Sequence, residues 1–156
     1  LNPRVGRDWM LSGHQRLVLT PGKNQKAFIA GAYDPRTGRI VCVDGDRKAV
    51  WLFLNLLRAL LQVYRSARRI HVILDNYTIH KSRAVVAFLR TIGEKILLHF
   101  LPPYCPEENR IERLWRDVHD NVTRNHRCKT LQDLLDQVYL YLDSRLLVRW
   151  GTCRHV

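Results

Sequence analysis

The chain has 156 residues, 46% of them hydrophobic, which suits one domain built on one core. Its 26 Lys and Arg against 14 Asp and Glu give a formal charge of +12, a balance that points to a polyanionic partner, nucleic acid ahead of a membrane surface. No apolar run approaches the roughly 18 residues of a membrane span, no signal-peptide pattern opens the chain, and Cys42, Cys105, Cys128 and Cys153 are scattered without a CxxC pair. The expectation is therefore an intracellular protein with reduced thiols, no membrane association, and neither a zinc site nor a disulfide framework.

In chain order, Arg16 to Thr20, Lys26 to Asp34 and Gly38 to Asp44 are short β-prone runs separated by Pro21-Gly22 and by Asp34-Pro35-Arg36-Thr37-Gly38. The last two runs form a hairpin. From Arg47 to Tyr64, Val50, Phe53, Leu54, Leu57, Leu60, Leu61 and Tyr64 recur at three- and four-residue steps, the apolar face of a helix. Arg58, Arg65, Arg68 and Arg69 crowd its end, where cations suit the helix dipole. A strand, Ile70 to Leu74, precedes a helix from Ser82 to Ile92 that Gly93 stops, and a further strand runs from Lys95 to Leu101. The prolines of PPYCPEEN force an extended connection. A helix starts near Pro106 or Glu107, and the last runs from Thr130 to Leu146, with Thr130 and Asp133 at capping-box spacing. Strands followed by strand-helix alternation imply a mixed sheet with helices on its faces.

Two carboxylates carry the chemistry. Asp75 ends the strand RIHVIL, and in α/β sheets ligands collect at the carboxyl ends of strands. A carboxylate ending a buried strand is costly unless a positive group faces it. The ordinary alternative is a turn or cap, a role that Asp-Asn pairs often fill. In the later helix, Ile111, Trp115, Val118 and Val122 form an apolar stripe at 100° per residue, and Glu112 lies just off its edge. Acids are favoured in any first helical turn, so position alone does not separate Glu112 from Glu108. Carboxylates that converge repel one another unless a hard cation sits between them, and magnesium fits. In a basic protein the matching chemistry is metal-assisted cleavage or transfer of a phosphodiester.

Taken together, VILDNYTIHKS and, 37 positions from Asp75 to Glu112, LHFLPPYCPEENRIERLW resemble the DDE transposases of bacterial insertion sequences related to mariner elements, nearest to insertion-sequence family six-thirty. The matching residues are Asp75, Asn76 and His80, then Pro102, Pro103, Tyr104, Pro106, Glu107, Asn109, Ile111, Glu112 and Trp115, and the likeness extends upstream through GRDWMLSGHQ and AGAYDPRTGRI. Cys105, Glu108 and Arg110 stand where the family usually has Ser, an apolar residue and Pro. The resemblance implies a ribonuclease H-like, retroviral-integrase-like mixed α/β sheet flanked by helices, with Asp75 and Glu112 as catalytic metal ligands. It further implies two Mg²⁺ or Mn²⁺ ions, cleavage and strand transfer on double-stranded DNA at transposon ends and a TA target, a homodimer, and a bacterial, nucleoid-associated location. Asn76, His80, Lys81 and Asn109 would support the ligands or touch DNA, the alternatives being a helix-start cap or surface histidine for His80 and a turn-fixing role for Asn76. Arg65, Arg68, Arg69 and Arg83 would track phosphates or form a solvated basic face, and Trp115 belongs to the core.

The family's first catalytic Asp lies on the first, central strand of that sheet, and no residue here matches it. Asp8 lies in a segment without strand character, and Asp34 and Asp44 look like hairpin and loop acids. Residues 1–156 are thus expected to form a partial catalytic domain without that strand and without the amino-terminal DNA-reading region. The expected consequences are poor stability or an altered sheet, with two exposed strand edges, and weak metal binding. The rival expectation is a DNA-binding or regulatory remnant without catalysis.

Overall fold

The computed structural model describes residues 2, 3, 5, 6, 9–14, 17, 18, 22, 24–103 and 108–145, and the backbone of 147–149. The expected hairpin forms from β1 (Phe28–Tyr33) and β2 (Ile40–Gly45), paired antiparallel with Phe28 opposite Gly45 and Tyr33 opposite Ile40. Asp34 builds its turn: the carboxylate accepts from Arg36 N and Thr37 Oγ1, at 3.0 and 2.9 Å, while Gly38 supplies the positive φ of 73°. Most of the run Arg16 to Thr20 falls outside the described residues, and its described part, Leu17 and Val18, is not strand.

The 3.6-residue periodicity yields α1 (Val50–Val63), which buries Leu52, Phe53, Leu56, Leu57, Ala59 and Leu60. This face is wider than the stripe read from sequence because the helix covers two sheets. One is β1–β2 with β5 (Leu147–Arg149) added parallel on the far side of β2; the other is the parallel pair β3 (Ile70–Leu74) and β4 (Ile96–Phe100). Val41 and Val43 from the first sheet and Leu74 and Ile96 from the second share one apolar cluster with α1. The single mixed sheet expected from the sequence is therefore divided. Among the described residues, β1 and β3 each pair on one edge only, so each leaves an edge with no strand against it.

Between β3 and β4, a 3-10 turn at Thr78–Lys81 leads into α2 (Arg83–Thr91), where the Ser82 hydroxyl accepts from Val85 N at 3.4 Å. Gly93, at φ +59°, closes this helix as expected. The next helix, α3 (Arg110–Val118), begins later than the expected start near Pro106 or Glu107, because Asn109 holds an extended backbone; residues 104–107 lie outside the described residues. It runs on as a π turn, His119–Thr123. The helix α4 (Leu131–Asp143) opens on the expected capping box, with Thr130 Oγ1 accepting from Asp133 N and the Asp133 carboxylate accepting from Thr130 N, both at 3.1 Å.

These last helices cover the opposite face of β1–β2. Strand alternation sends Ile29, Ile40 and Cys42 to that side, where they meet Val118, Val138, Tyr139 and Leu142. Trp115, partly buried, packs against this layer over Gly31, in keeping with the core role read from sequence: a Cβ on Gly31 would lie 2.7 Å from Trp115 Cζ2. By contrast, the outward face of β3 remains open, with His71 and Ile73 exposed.

Candidate active site at the carboxyl end of the third strand

Asp75 directly follows β3, as the sequence placed it, but the supposed burial does not hold. Its side chain is 62% exposed, because the open outer face of β3 leaves the strand's end in solvent. Little desolvation is incurred there, so no cation is required to explain the residue, and its neighbours must carry the reading. Asp75 Oδ1 accepts from Tyr77 N at 3.2 Å and lies 3.1 Å from His80 Nε2. That pairing needs the proton of a neutral His80 on Nε2, which leaves Nδ1 as a bare lone pair. Nδ1 is indeed buried without a partner, and the ring packs on Phe53 with centroids 4.3 Å apart. Burial pushes the His80 imidazole below the usual histidine range, and Lys48 adds to this, against the opposing pull of Asp75.

Asn76 and Lys81 join the same group. Lys81 Nζ donates to Asn76 Oδ1 at 2.9 Å, and Asn76 Nδ2 donates to the Leu101 carbonyl, tying the loop after β3 to the end of β4. Lys81 also lies over the Phe100 ring, 4.7 Å from its centroid, and Lys48 over the Tyr77 ring at 4.1 Å. Sequence reasoning did not assign Lys48, Phe53, Tyr77 or Phe100 to this site. Only the apolar stripe signalled Phe53, and it marked core rather than site.

Glu112 is exposed in the first turn of α3, whose Ile111 is buried and whose Trp115 anchors the helix on β1. Asn109, the residue before this helix, is half-buried and makes no capping bond with its side chain. The structure thus groups Asp75, Asn76, His80 and Lys81 by direct contact and carries Glu112 and Asn109 on a different element. Among the described residues no three of His, Cys, Asp and Glu converge to hold a metal ion. The donor chemistry of Asp75 and Glu112, two exposed carboxylates, suits a hard divalent cation.

The strand-end acids Asp34 and Asp44 are occupied. Asp34 builds the hairpin and also accepts from Tyr64 OH at 3.3 Å, and buried Asp44 accepts from Tyr139 OH at 2.6 Å. Asp8 lies outside the described residues. Of the basic cluster, Arg69 pairs with Glu94 and Arg58 lies 5.4 Å over Phe88, so part of it is spent within the fold. No helix among the described residues is long and apolar enough to cross a membrane.

The family model of the DDE superfamily endonucleases matches residues 1–135. The uncharacterized 39 kDa protein of insertion element IS630 from Shigella sonnei is 43% identical over 144 residues, 92% of this chain; the chain spans 42% of that protein's length. Two structures of Mos1, the transposase paired-end complex with the left transposon end and the mariner paired-end complex with Mn, superpose with TM-scores of 0.62 and 0.64 at 17% and 16% identity. Each covers 92% of this chain, which spans 44% and 45% of theirs. The catalytic core domain of BIV integrase matches with a TM-score of 0.52 at 20% identity, over 84% of this chain and 82% of its own. These likenesses make the fold ribonuclease H-like. With the family model matched over most of its length, the chain belongs to the DDE superfamily endonucleases.

Proposed function

We propose that this chain is part of a transposase catalytic domain, with Asp75 and Glu112 as two of its three catalytic carboxylates. Its reaction is metal-dependent cleavage of DNA at the ends of an insertion sequence and transfer of the freed strand to target DNA, typically at TA. The observation that carries the reading is Asp75 at the carboxyl end of β3, clamped on Oδ1 by His80 and Tyr77 N and beside the Lys81–Asn76 pair. When bound, Mg²⁺ or Mn²⁺, two ions in the complete domain, supplies charge neutralisation at the phosphate and a more acidic nucleophile.

Asp75 and Glu112 would hold the metal. The His80 clamp limits rotation of the Asp75 carboxylate, and the buried Phe53 face in turn holds the imidazole. Asn76 fixes the loop, Lys81 and Arg83 meet DNA phosphates, and Asn109 places the start of α3. The third carboxylate comes from a strand seated between β1 and β3, where each sheet offers an unpartnered edge over the same α1 core; that strand would join the two sheets into one. The complete protein acts on double-stranded DNA as a homodimer in the bacterial cytoplasm, at the nucleoid.

One observation favours a second reading, a DNA-binding remnant without catalysis: among the described residues there is no cluster of three metal-ligating side chains. The deciding experiment is divalent-metal-dependent nicking of supercoiled DNA by this chain joined to the upstream strand of its Shigella sonnei relative. Nicking is expected from the joined protein, with loss in both Asp75→Ala and Glu112→Ala, and none from the chain by itself. Nicking that survives both substitutions sinks the assignment. A folded, DNA-binding but silent joined protein supports the remnant.

A further inference from the structure

A groove of about 510 Å³ runs between α2 and β4, with Lys81 and Phe100 at one end, Arg90 at the other, and Val86, Leu89 and Leu98 among its walls. His80, which holds Asp75, also lines it, so its mouth opens beside the candidate catalytic carboxylate. We propose that this groove receives an unpaired nucleotide of the DNA strand whose phosphate lies at Asp75. The inference rests on the DNA-cleaving reading above and adds the state of the substrate: the duplex is opened next to the reacting phosphate.

The lining matches a base better than a duplex surface. Its volume lies within the roughly 300–1,000 Å³ of small-ligand sites, and its lining is mainly apolar, as a π-face requires, the acid among it, Glu94, being paired with Arg69. Phe100 is 39% exposed although it lies in strand pairing beside Leu74, so one large ring stands open at the mouth. Lys81 lies over that ring and also bonds Asn76, next to Asp75. Tyr77, 40% exposed beneath Lys48 and bonded through its N–H to Asp75, repeats the arrangement. Pairs of aromatic ring and lysine are the elements of single-strand grips, in which the base stacks and the ammonium takes the phosphate.

Exchange of partners is favoured. An exposed cation–π contact contributes roughly 2- to 5-fold to an equilibrium, whereas stacking of a base on a protein ring contributes roughly 5- to 150-fold in affinity. A base entering the groove therefore displaces Lys81 from Phe100 and leaves its ammonium, still donating to Asn76, open to the adjacent phosphate. Arg90 supplies donors for the edge of the base at the far end.

The test is fluorescence anisotropy in EDTA, without cleavage, on a blunt duplex and on the same duplex carrying a single-stranded 3′ extension that contains 2-aminopurine. The protein should bind the extended duplex at least about 5-fold more tightly than the blunt one, with 2-aminopurine quenched on binding. Val86→Trp, which fills the groove, should erase the preference and the quenching while leaving blunt-duplex affinity unchanged, and Phe100→Ala, which removes the ring, should erase both as well. Equal binding of the two DNAs, or a preference that survives both variants, overturns the inference while salt-dependent blunt-duplex binding leaves the DNA reading standing. Binding to neither DNA overturns both.

Discussion

Replacing Gly31 by Ala tests how the chain positions Glu112. The added Cβ would meet Trp115 Cζ2 at 2.7 Å and Cη2 at 3.0 Å, with Cys42 Sγ at 3.1 Å closing the other side. Carbon atoms prefer about 3.5–4.0 Å, so the indole must retreat by close to ~1 Å. The rigid ring lies within the layer of Val118, Val138 and Leu142, and its movement carries α3 with it. Overpacking of this kind costs about 1–3 kcal/mol. For a chain of this size, ~2 kcal/mol lowers the melting temperature by about 4–8 °C. The assay is urea unfolding of Gly31→Ala, Trp115→Phe and the double variant. Phenylalanine lacks the two clashing atoms, so Gly31→Ala should cost at least ~1 kcal/mol less in the Trp115→Phe background. Additivity of the two substitutions within ~0.5 kcal/mol would refute the reasoning that Gly31 seats α3 through Trp115.

Asp75→Ala should leave the fold almost unchanged, since a single hydrogen bond such as that from His80 to the exposed Asp75 carboxylate contributes about 0.5–1.5 kcal/mol; a melting loss comparable to that of a core substitution would make Asp75 structural. Burial, aided by the Asp44 carboxylate, pushes the Cys42 thiol up to about 12. Iodoacetamide should therefore alkylate it only after unfolding, and labelling of the native protein at the rate of a free thiol contradicts that environment. Burial pushes the Asp34 carboxyl up, but the Arg36 N–H, the Thr37 and Tyr64 hydroxyls and the Arg36 charge outweigh it and hold it below 3.8. A carboxyl lowered by folding gives stability that is complete above its unfolded value and lost as pH falls through the folded one. Between about pH 6 and pH 3, then, Asp34→Asn should show a smaller fall in urea midpoint than the parent, and parallel falls would contradict it.

Local signals in the sequence located most elements. Ile70–Leu74 matches the expected strand residue for residue, Ser82 and Thr130 cap the helices they precede, and the hairpin turns at Asp34. The stripe of Ile111, Trp115 and Val118 gave the correct packing face of α3. What escaped depends on distant pairing. The three-residue β5 joins β2 in parallel more than a hundred residues along the chain, and no local pattern announces that contact. The exposure of Asp75 follows from the division of the sheet and the open outer face of β3, whereas the apolar run before it suggested burial. Lys48 and Phe53 reach His80 from the start of α1, a proximity created by the fold alone.

The central claim is that Asp75 and Glu112 serve one metal site. Mn²⁺ titrated into isotope-labelled protein joined to the strand proposed to lie between β1 and β3, followed by paramagnetic broadening of amide signals, tests it most directly. The account predicts that signals of Asp75, Asn76 and Glu112 broaden together, and that Asp75→Ala abolishes the effect at Glu112 as well. Broadening at only one of the two carboxylates, or at Asp117 and Asp120 instead, would contradict it.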